Sequence, residues 1–363
     1  MRSIIVKRLF IATILVAQLM PNLAISQNLF TLDNYRIPLN QKSAIIGKVH
    51  RPSNNIEKSA KVNYSIIIDT ANIFRINNNG EIMLRRGVLL TPGEPFRYSV
   101  TISIKEKRGD KRVEIKEIEL VKDEFLKNMV VAHRGAWKES IAPQNSILAL
   151  KNAMKIGCSW SEFDLWMSAD GVPVCNHDPS IKGLMVESSP ASLLTSLELA
   201  PGEYLPTVEQ YIKCAMEQNK TGLVVEIKPS GISPERTLEL TDKVVKMIHD
   251  LKAQAWVSYI SFSYECLERV LELDPLAKTA YLGSNKSVED ISSSGMWGVD
   301  FNISLFKKDP LLVSKAKERG LTVNVWTVNL KEDLNMMIDM GADFITTNEP
   351  ELLFKILKER ENK

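Results

Sequence analysis

Three short stretches place ionisable residues at the ends of apolar runs. In "MVVAHRGAWKESIAPQNSILAL", residues 129–150, an apolar run leads directly into His133, Arg134 and Gly135. In "SEFDLWM", Glu162 and Asp164 are two residues apart, and in "LVVEIK" Glu226 and Lys228 repeat that spacing. On a strand this spacing points both side chains to one face. Like charges turned into an interior are costly unless something neutralises them. With Glu226 as a third carboxylate, a divalent cation would do so, and all-oxygen ligation suits Ca²⁺ or Mg²⁺ better than zinc. A salt-bridge network with Arg134 and Lys228 would also do so, and spacing alone does not separate the two.

The chain has four histidines. His133 and His177, the latter in "VPVCNHD", both end extended runs beside polar residues, whereas His249 falls on a helix and His50 in the amino-terminal part. Two imidazoles beside a carboxylate cluster can act as general base and general acid near neutral pH. Arg134 suits bidentate contact with a phosphate and Lys228 acts as a point charge. Gly135 would let the backbone turn close to a ligand. "VNVWTVN" brings Asn324, Trp326 and Asn329 to another strand end. Acid, base, cation and two basic residues together describe phosphoryl chemistry. Sugar hydrolysis needs two isolated carboxylates, which these clustered ones are not.

The elements that position these residues form a regular series from residue 129 onward. "MVVAHR", "SEFDLWM", "LVVEIK", "WVSYISFS", "KTAYLG", "VDFNIS", "LTVNVWTV" and "DFITTN" read as strands. Amphipathic segments such as "SILALKNAMKIG", which ends in Gly157, read as helices between them. Eight strand–helix units predict an α/β fold, a (β/α)8 TIM barrel, with its site at the carboxyl ends of the strands. An open doubly wound sheet is the alternative, and the count of eight with polar strand ends favours the barrel. Residues 179–206 break the rhythm and read as an insertion at the barrel mouth.

Upstream, residues 28–122 hold short alternating runs such as "KVNYSIIID" and "FRYSVTISI", with Asn-Asn-Gly between two apolar runs as a hairpin signal. They predict a small all-β sandwich. "IFRINNNGEIML" resembles the strand–turn–strand of cadherin-like domains, without their acidic calcium motifs. A spacer or docking module is expected, with a partner the residues do not name.

The first residues read as an export signal: Arg2, Lys7 and Arg8, then "LFIATILVAQLM", then "AIS" before Gln27. An uncleaved anchor is the alternative. No Cys follows the apolar run, which argues against a lipoprotein. The expected organisation is a signal peptide at 1–26, a β-sandwich at 27–125 and the barrel at 126–363. The mature protein would be exported, periplasmic or secreted, with no stable membrane span. Loss of three basic residues takes the formal charge from +2 to −1, which gives no basis for a nucleic-acid partner. Cys158, Cys175, Cys214 and Cys266 are scattered over strands and helices, and buried free thiols are expected rather than bridges.

"AHRGAWKESIAPQNS", "EFDLWMSADGVPVCNHD", "LPTVEQYI" and "LVVEIK" together resemble the glycerophosphodiester phosphodiesterases, in order and spacing, over residues 129–228. Weaker similarity continues through "SFSYECLERVLELDP" and "VNVWTVN" to "GADFITTNEP". The resemblance implies a (β/α)8 barrel and metal ligation by Glu162, Asp164 and Glu226, usually of calcium or magnesium. It implies His133 and His177 as the acid–base pair, phosphate contacts from Arg134 and Lys228, and Trp326 beside the alcohol group of a small-molecule substrate. The implied activity is hydrolysis of a glycerophosphodiester to glycerol 3-phosphate and an alcohol. Two other readings are a phospholipase D-like enzyme acting on sphingomyelin or lysolipids, and a non-catalytic phosphodiester- or glycan-binding surface protein. The chain departs from the family at Gln144, where a Glu is usual, and in "PSIKGLMVESSP" after His177 and Asp178.

Overall fold

The computed structural model describes residues 30–51, 62–106 and 113–362. The export signal read at residues 1–26 lies outside the described residues. The amino-terminal region contains β1 (Thr31–Leu32), β2 (Arg36–Ile37), β3 (Ile45–His50), β4 (Val62–Asp69), β5 (Phe74–Ile76), β6 (Glu81–Leu84), β7 (Arg97–Glu106) and β8 (Val113–Lys122). They form two four-stranded sheets, in the orders β1-β3-β6-β5 and β2-β8-β7-β4. The β5–β6 hairpin turns where the sequence reads Asn-Asn-Asn-Gly. Asn77 Oδ1 accepts from the Asn79 and Glu81 amides, and Gly80 takes φ +80°. Chain packing defines two compact units: residues 35–40 and 90–97 group with residue 119 onward, and the rest of the β region forms the other unit.

The second unit is a closed barrel. Its strands begin with β9 (Val130–Ala132) and β10 (Trp160–Met167). An excursion follows, with β11 (Pro173–Cys175), β12 (Ser180–Ile181), β13 (Leu184–Met185), β14 (Glu198–Ala200) and β15 (Glu203–Tyr204). The barrel resumes with β16 (Gly222–Ile227), β17 (Val257–Ser261), β18 (Thr279–Tyr281), β19 (Gly298–Asn302), β20 (Thr322–Trp326) and β21 (Phe344–Thr347). The eight parallel strands run β10-β16-β17-β18-β19-β20-β21-β9, and β9 pairs back with β10 to close the ring. All eight candidate strands are present. β10 and β16 are buried along their whole length, as strands covered on both faces must be. Inside the ring Val131, Trp160, Val224, Ile260, Ala280 and Leu282 pack together, with Trp326 and Phe344 against them.

Two local features differ from a uniform barrel. "VPVCNHD" lies antiparallel to β10 through β11, so His177 is carried by a hairpin rather than by a barrel strand. A short apolar run reads the same in either direction, so the sequence did not distinguish them. Residues 179–206 fold into two small hairpins around an apolar cluster of Trp166, Val174, Val186, Leu194 and Leu205. Glu187 pins this insertion: its carboxylate accepts from Ser230 Oγ at 2.5 Å, the Gly231 amide at 2.9 Å and Arg236 Nε at 3.2 Å. All four cysteines are buried and unbridged. No helix among the described residues is long and apolar enough to cross a membrane.

Candidate active site

The site forms where β9, β10 and β16 end. Asp164 lies in direct register with Glu226 on the neighbouring parallel strand, and Glu162 precedes it on the same face. Oxygens of Glu162, Asp164 and Glu226 come within 4.8 Å of one another, and all three residues are buried.

The turn after β9 shapes the rest. Arg134 and Gly135 adopt φ of +58° and +82°. That left-handed turn, unusual for a residue with a Cβ, directs the Arg134 amide onto Glu162 Oε2 at 2.8 Å. Gly135 is required for packing: a Cβ there would lie 2.6 Å from Ala149 Cβ and 2.7 Å from its carbonyl carbon. What crowds Gly135 is therefore the helix Ile147–Ile156. Ser146 caps that helix by accepting from the Ala149 amide. Beside it Asn145, at φ +59°, exchanges two hydrogen bonds with Asp164: Nδ2 donates to Oδ2 at 2.9 Å, and Oδ1 accepts from the Asp164 amide at 3.1 Å.

The cations sit among the carboxylates. Lys228 Nζ lies 2.7 Å from Asp164 Oδ1 and 2.5 Å from Glu226 Oε1. Arg134 Nε lies 3.5 Å from Asp164 Oδ2, and its Nη1 donates to Gln144 Oε1 at 2.6 Å. Gln144 therefore engages Arg134 through its amide oxygen. Burial raises Glu162 well above the usual carboxylate range, and the charges of Asp164 and Glu226 push the same way. Burial and Asp164 likewise push Glu226 up to about 8, against Lys228. Asp164 is as buried, but Lys228, His177 and the bonds from Lys228 and Asn145 outweigh its desolvation and hold it low.

The salt-bridge network thus exists, but it does not complete the cluster. Glu162 Oε1 is buried with no hydrogen-bond partner among the described residues. Two glutamates driven to hold protons, and one orphaned carboxylate oxygen, fit a divalent cation that would displace those protons.

Both imidazoles are held the same way. His133 Nδ1 is 2.7 Å from Asn348 Oδ1, and His177 Nδ1 is 2.7 Å from Asp178 Oδ1. Each oxygen fixes a proton on Nδ1 and leaves Nε2 as the free nitrogen. His133 Nε2 faces Glu162 Oε2 at 4.0 Å. Burial, helped by Arg134, lowers His133 to about 4, so its imidazole is neutral at pH 7. His177 is more open, with a side chain 38 % exposed. The neighbouring Asn176 amide donates to the Asp164 carbonyl at 3.1 Å, and the His177 carbonyl accepts from Trp166 Nε1 at 3.0 Å, which holds this segment against β10 beside the carboxylates.

Trp326 stands apart, at the end of β20. Its Nε1 donates to the Asp300 carbonyl at 2.9 Å and its ring meets Phe262 edge-on. Asn324 turns inward to Thr346, and Asn329 accepts from the Asn348 amide. Sequence reasoning passed over Asn348 as a partner of His133. Its only signal was its place at the end of the last strand.

Comparison with known proteins identifies this arrangement. The Glycerophosphoryl diester phosphodiesterase family profile matches residues 133–352, and the chain belongs to that family. Over 248 residues it is 30% identical to a glycerophosphodiester phosphodiesterase of Caldanaerobacter subterraneus subsp. tengcongensis, covering 64% of this chain and 99% of that protein. Among solved structures, a glycerophosphodiester phosphodiesterase from Parabacteroides distasonis matches with TM-score 0.63 and 38% identity, over 65% of this chain and 99% of that one. An Oleispira antarctica phosphodiesterase in complex with the product sn-glycerol-3-phosphate matches with TM-score 0.55 and 26% identity, over 63% and 96% of the two chains.

Proposed function

We propose that the protein hydrolyses glycerophosphodiesters to glycerol 3-phosphate and an alcohol, with a divalent cation and two histidines. The observation that carries this reading is the pair of imidazoles with free Nε2 atoms beside a buried three-carboxylate cluster. The product complex of the Oleispira relative supports the choice of products.

Glu162, Asp164 and Glu226 would hold the cation, Ca²⁺ or Mg²⁺ by their all-oxygen donor set. When bound, the ion supplies charge that polarises a phosphoryl oxygen. Arg134 and Lys228 contact the phosphate from the adjoining edge. His133, neutral at pH 7, takes the proton of the attacking hydroxyl or water at Nε2. His177 protonates the departing alkoxide from its more open position. We further propose that Arg2, Lys7, Arg8 and the apolar run after them export the chain to the periplasm or beyond.

A second reading, cleavage of a lysolipid, is favoured by one observation. Ile141, Ile232 and Leu330, on loops that follow strand ends, are 90 %, 62 % and 62 % exposed.

The test is hydrolysis of glycerophosphodiesters and a lysophospholipid, with and without chelator, in wild type, H133A and H177A. Glycerol 3-phosphate release that needs a divalent ion is expected, with either variant reduced at least about 100-fold. Near-wild-type turnover in either variant would overturn the acid–base assignment. Full activity in chelator would overturn the metal site.

A further inference from the structure

Among the described residues, the barrel unit exposes ten large apolar side chains. Eight of them lie on the connections that leave the carboxyl ends of the strands, the insertion after β10 included, or in the first turn of the next helix. Leu276, between the helix Tyr264–Leu273 and β18, lies at the opposite end. Single exposed apolar residues are ordinary, but their concentration at one end of a barrel is not. Ile141, Ile232 and Leu330 follow β9, β16 and β20. The first two flank β10, and β21 alone separates β20 from β9, so the three stand around the catalytic strand ends.

Ile141 carries a second peculiarity. It is 90 % exposed and holds φ +53°. A β-branched residue in the left-handed region is strained, and a side chain in water gains no packing to offset that. The loop is nonetheless braced on both sides of it. The Ile141 amide donates to the Lys138 carbonyl at 3.3 Å and the Ala142 amide to the Trp137 carbonyl at 2.9 Å. Ser140 Oγ donates to the Ala136 carbonyl at 2.8 Å and accepts from Asn152 Nδ2 at 2.7 Å. Lys138 pairs with Glu349 on the loop after β21. The tip is a built projection, and contact with an apolar phase would offset its strain.

Spacing and charge say what that phase is. The three tips rise from separate loops with polar residues beside them. A protein partner buries a contiguous patch, whereas a headgroup layer admits isolated side chains to the acyl boundary. Lys138 and Glu139 precede Ile141, Lys331 and Glu332 follow Leu330, and Glu235 follows Ile232, all of them exposed. Charges of both signs therefore accompany the tips. That mixture complements headgroups that carry a phosphate and an ammonium together, and it gives no net attraction to an anionic lipid.

We propose that Ile141, Ile232 and Leu330 seat the barrel mouth on a zwitterionic phospholipid bilayer by inserting their side chains among the headgroups. The proposal builds on the diester-hydrolase reading above, but its test reads binding and not turnover, so either can fail alone. The test is co-sedimentation with phosphatidylcholine vesicles at low and at high salt. It uses the chain from Gln27, which keeps every described residue and lacks the apolar segment read as an export signal. The expected result is partition that salt does not weaken. I141S, I232S and L330S should each lower the partition coefficient at least about fivefold. L276S, at the opposite end, should leave it unchanged, and I141L should keep it. I141G removes the strain with the side chain. It should lose partition as I141S does yet melt no lower than wild type, a pairing that a folding defect does not give. No partition of wild type, or partition that the three serine variants leave intact, would overturn the proposal. So would binding confined to phosphatidylglycerol vesicles and lost at high salt. Dimers that form without vesicles and vanish in the same variants would overturn it in favour of a second copy of the chain.

Discussion

Asp300 adds to the pH response that the buried carboxyls Glu162 and Glu226 also give the barrel. It sits on β19 beside a cavity of about 20 Å³, with Oδ1 unpartnered among the described residues. Burial, opposed by a hydrogen bond with Asn324, lifts it from 3.8 to about 7. The folded state therefore holds a proton that the unfolded chain gives up above pH 3.8. Its stabilising contribution is complete below that pH and is lost as pH rises through about 7. The rise corresponds to roughly 4 kcal/mol. D300N should lack this dependence, so urea titrations from pH 5 to pH 8 should show a shallower fall in stability than wild type. Identical slopes would show that Asp300 titrates normally in the fold.

At the scale of elements, the insertion after His177 is fastened by one carboxylate. Glu187 ties the short helical turn Val186–Ser188 to the loop after Lys228 and to Arg236, whose Nη2 donates to the Ser168 carbonyl at 2.6 Å. E187A leaves Arg236 without its ion pair and removes charge-assisted hydrogen bonds from a half-buried site, at a cost of about 2 kcal/mol. Limited proteolysis should then cut within residues 179–206 well before the barrel is lost, and KM should rise more than kcat falls. Wild-type resistance in that segment would show that the apolar cluster around Trp166 holds the insertion unaided.

The same scale shows what could be read from the residues. Two-residue spacing put Glu162 and Asp164 on one face, and the order of strands brought Glu226 beside them. Hydrophobic runs marked every barrel strand because both faces of such strands are covered. The side-chain amides of Asn145 and Asn348 were opaque, since an Asn at a strand end is equally the residue of an ordinary turn. The antiparallel course of β11 was opaque because three apolar residues carry no direction.

For the whole molecule, the compact units do not follow the chain linearly. Arg36 belongs with the barrel unit: its Nε donates to the Ala255 carbonyl at 2.8 Å, and its guanidinium lies 3.5 Å over the ring of Phe125. A chain starting at residue 126 loses both partnerships, whereas one starting at residue 30 keeps them. The shorter chain should melt several degrees lower in parallel thermal scans. Equal melting temperatures would show that the barrel is self-sufficient from residue 126.

The four unbridged cysteines give the protein a built-in clock. Burial pushes the thiols of Cys158, Cys175 and Cys214 above their usual range and that of Cys266 up to about 11. An alkylating reagent needs the exposed thiolate, so each cysteine should be labelled only when its part of the barrel opens. Mass spectrometry of labelling over time, at rising denaturant, would time the opening of β11 through Cys175 separately from that of the helix Tyr264–Leu273 through Cys266.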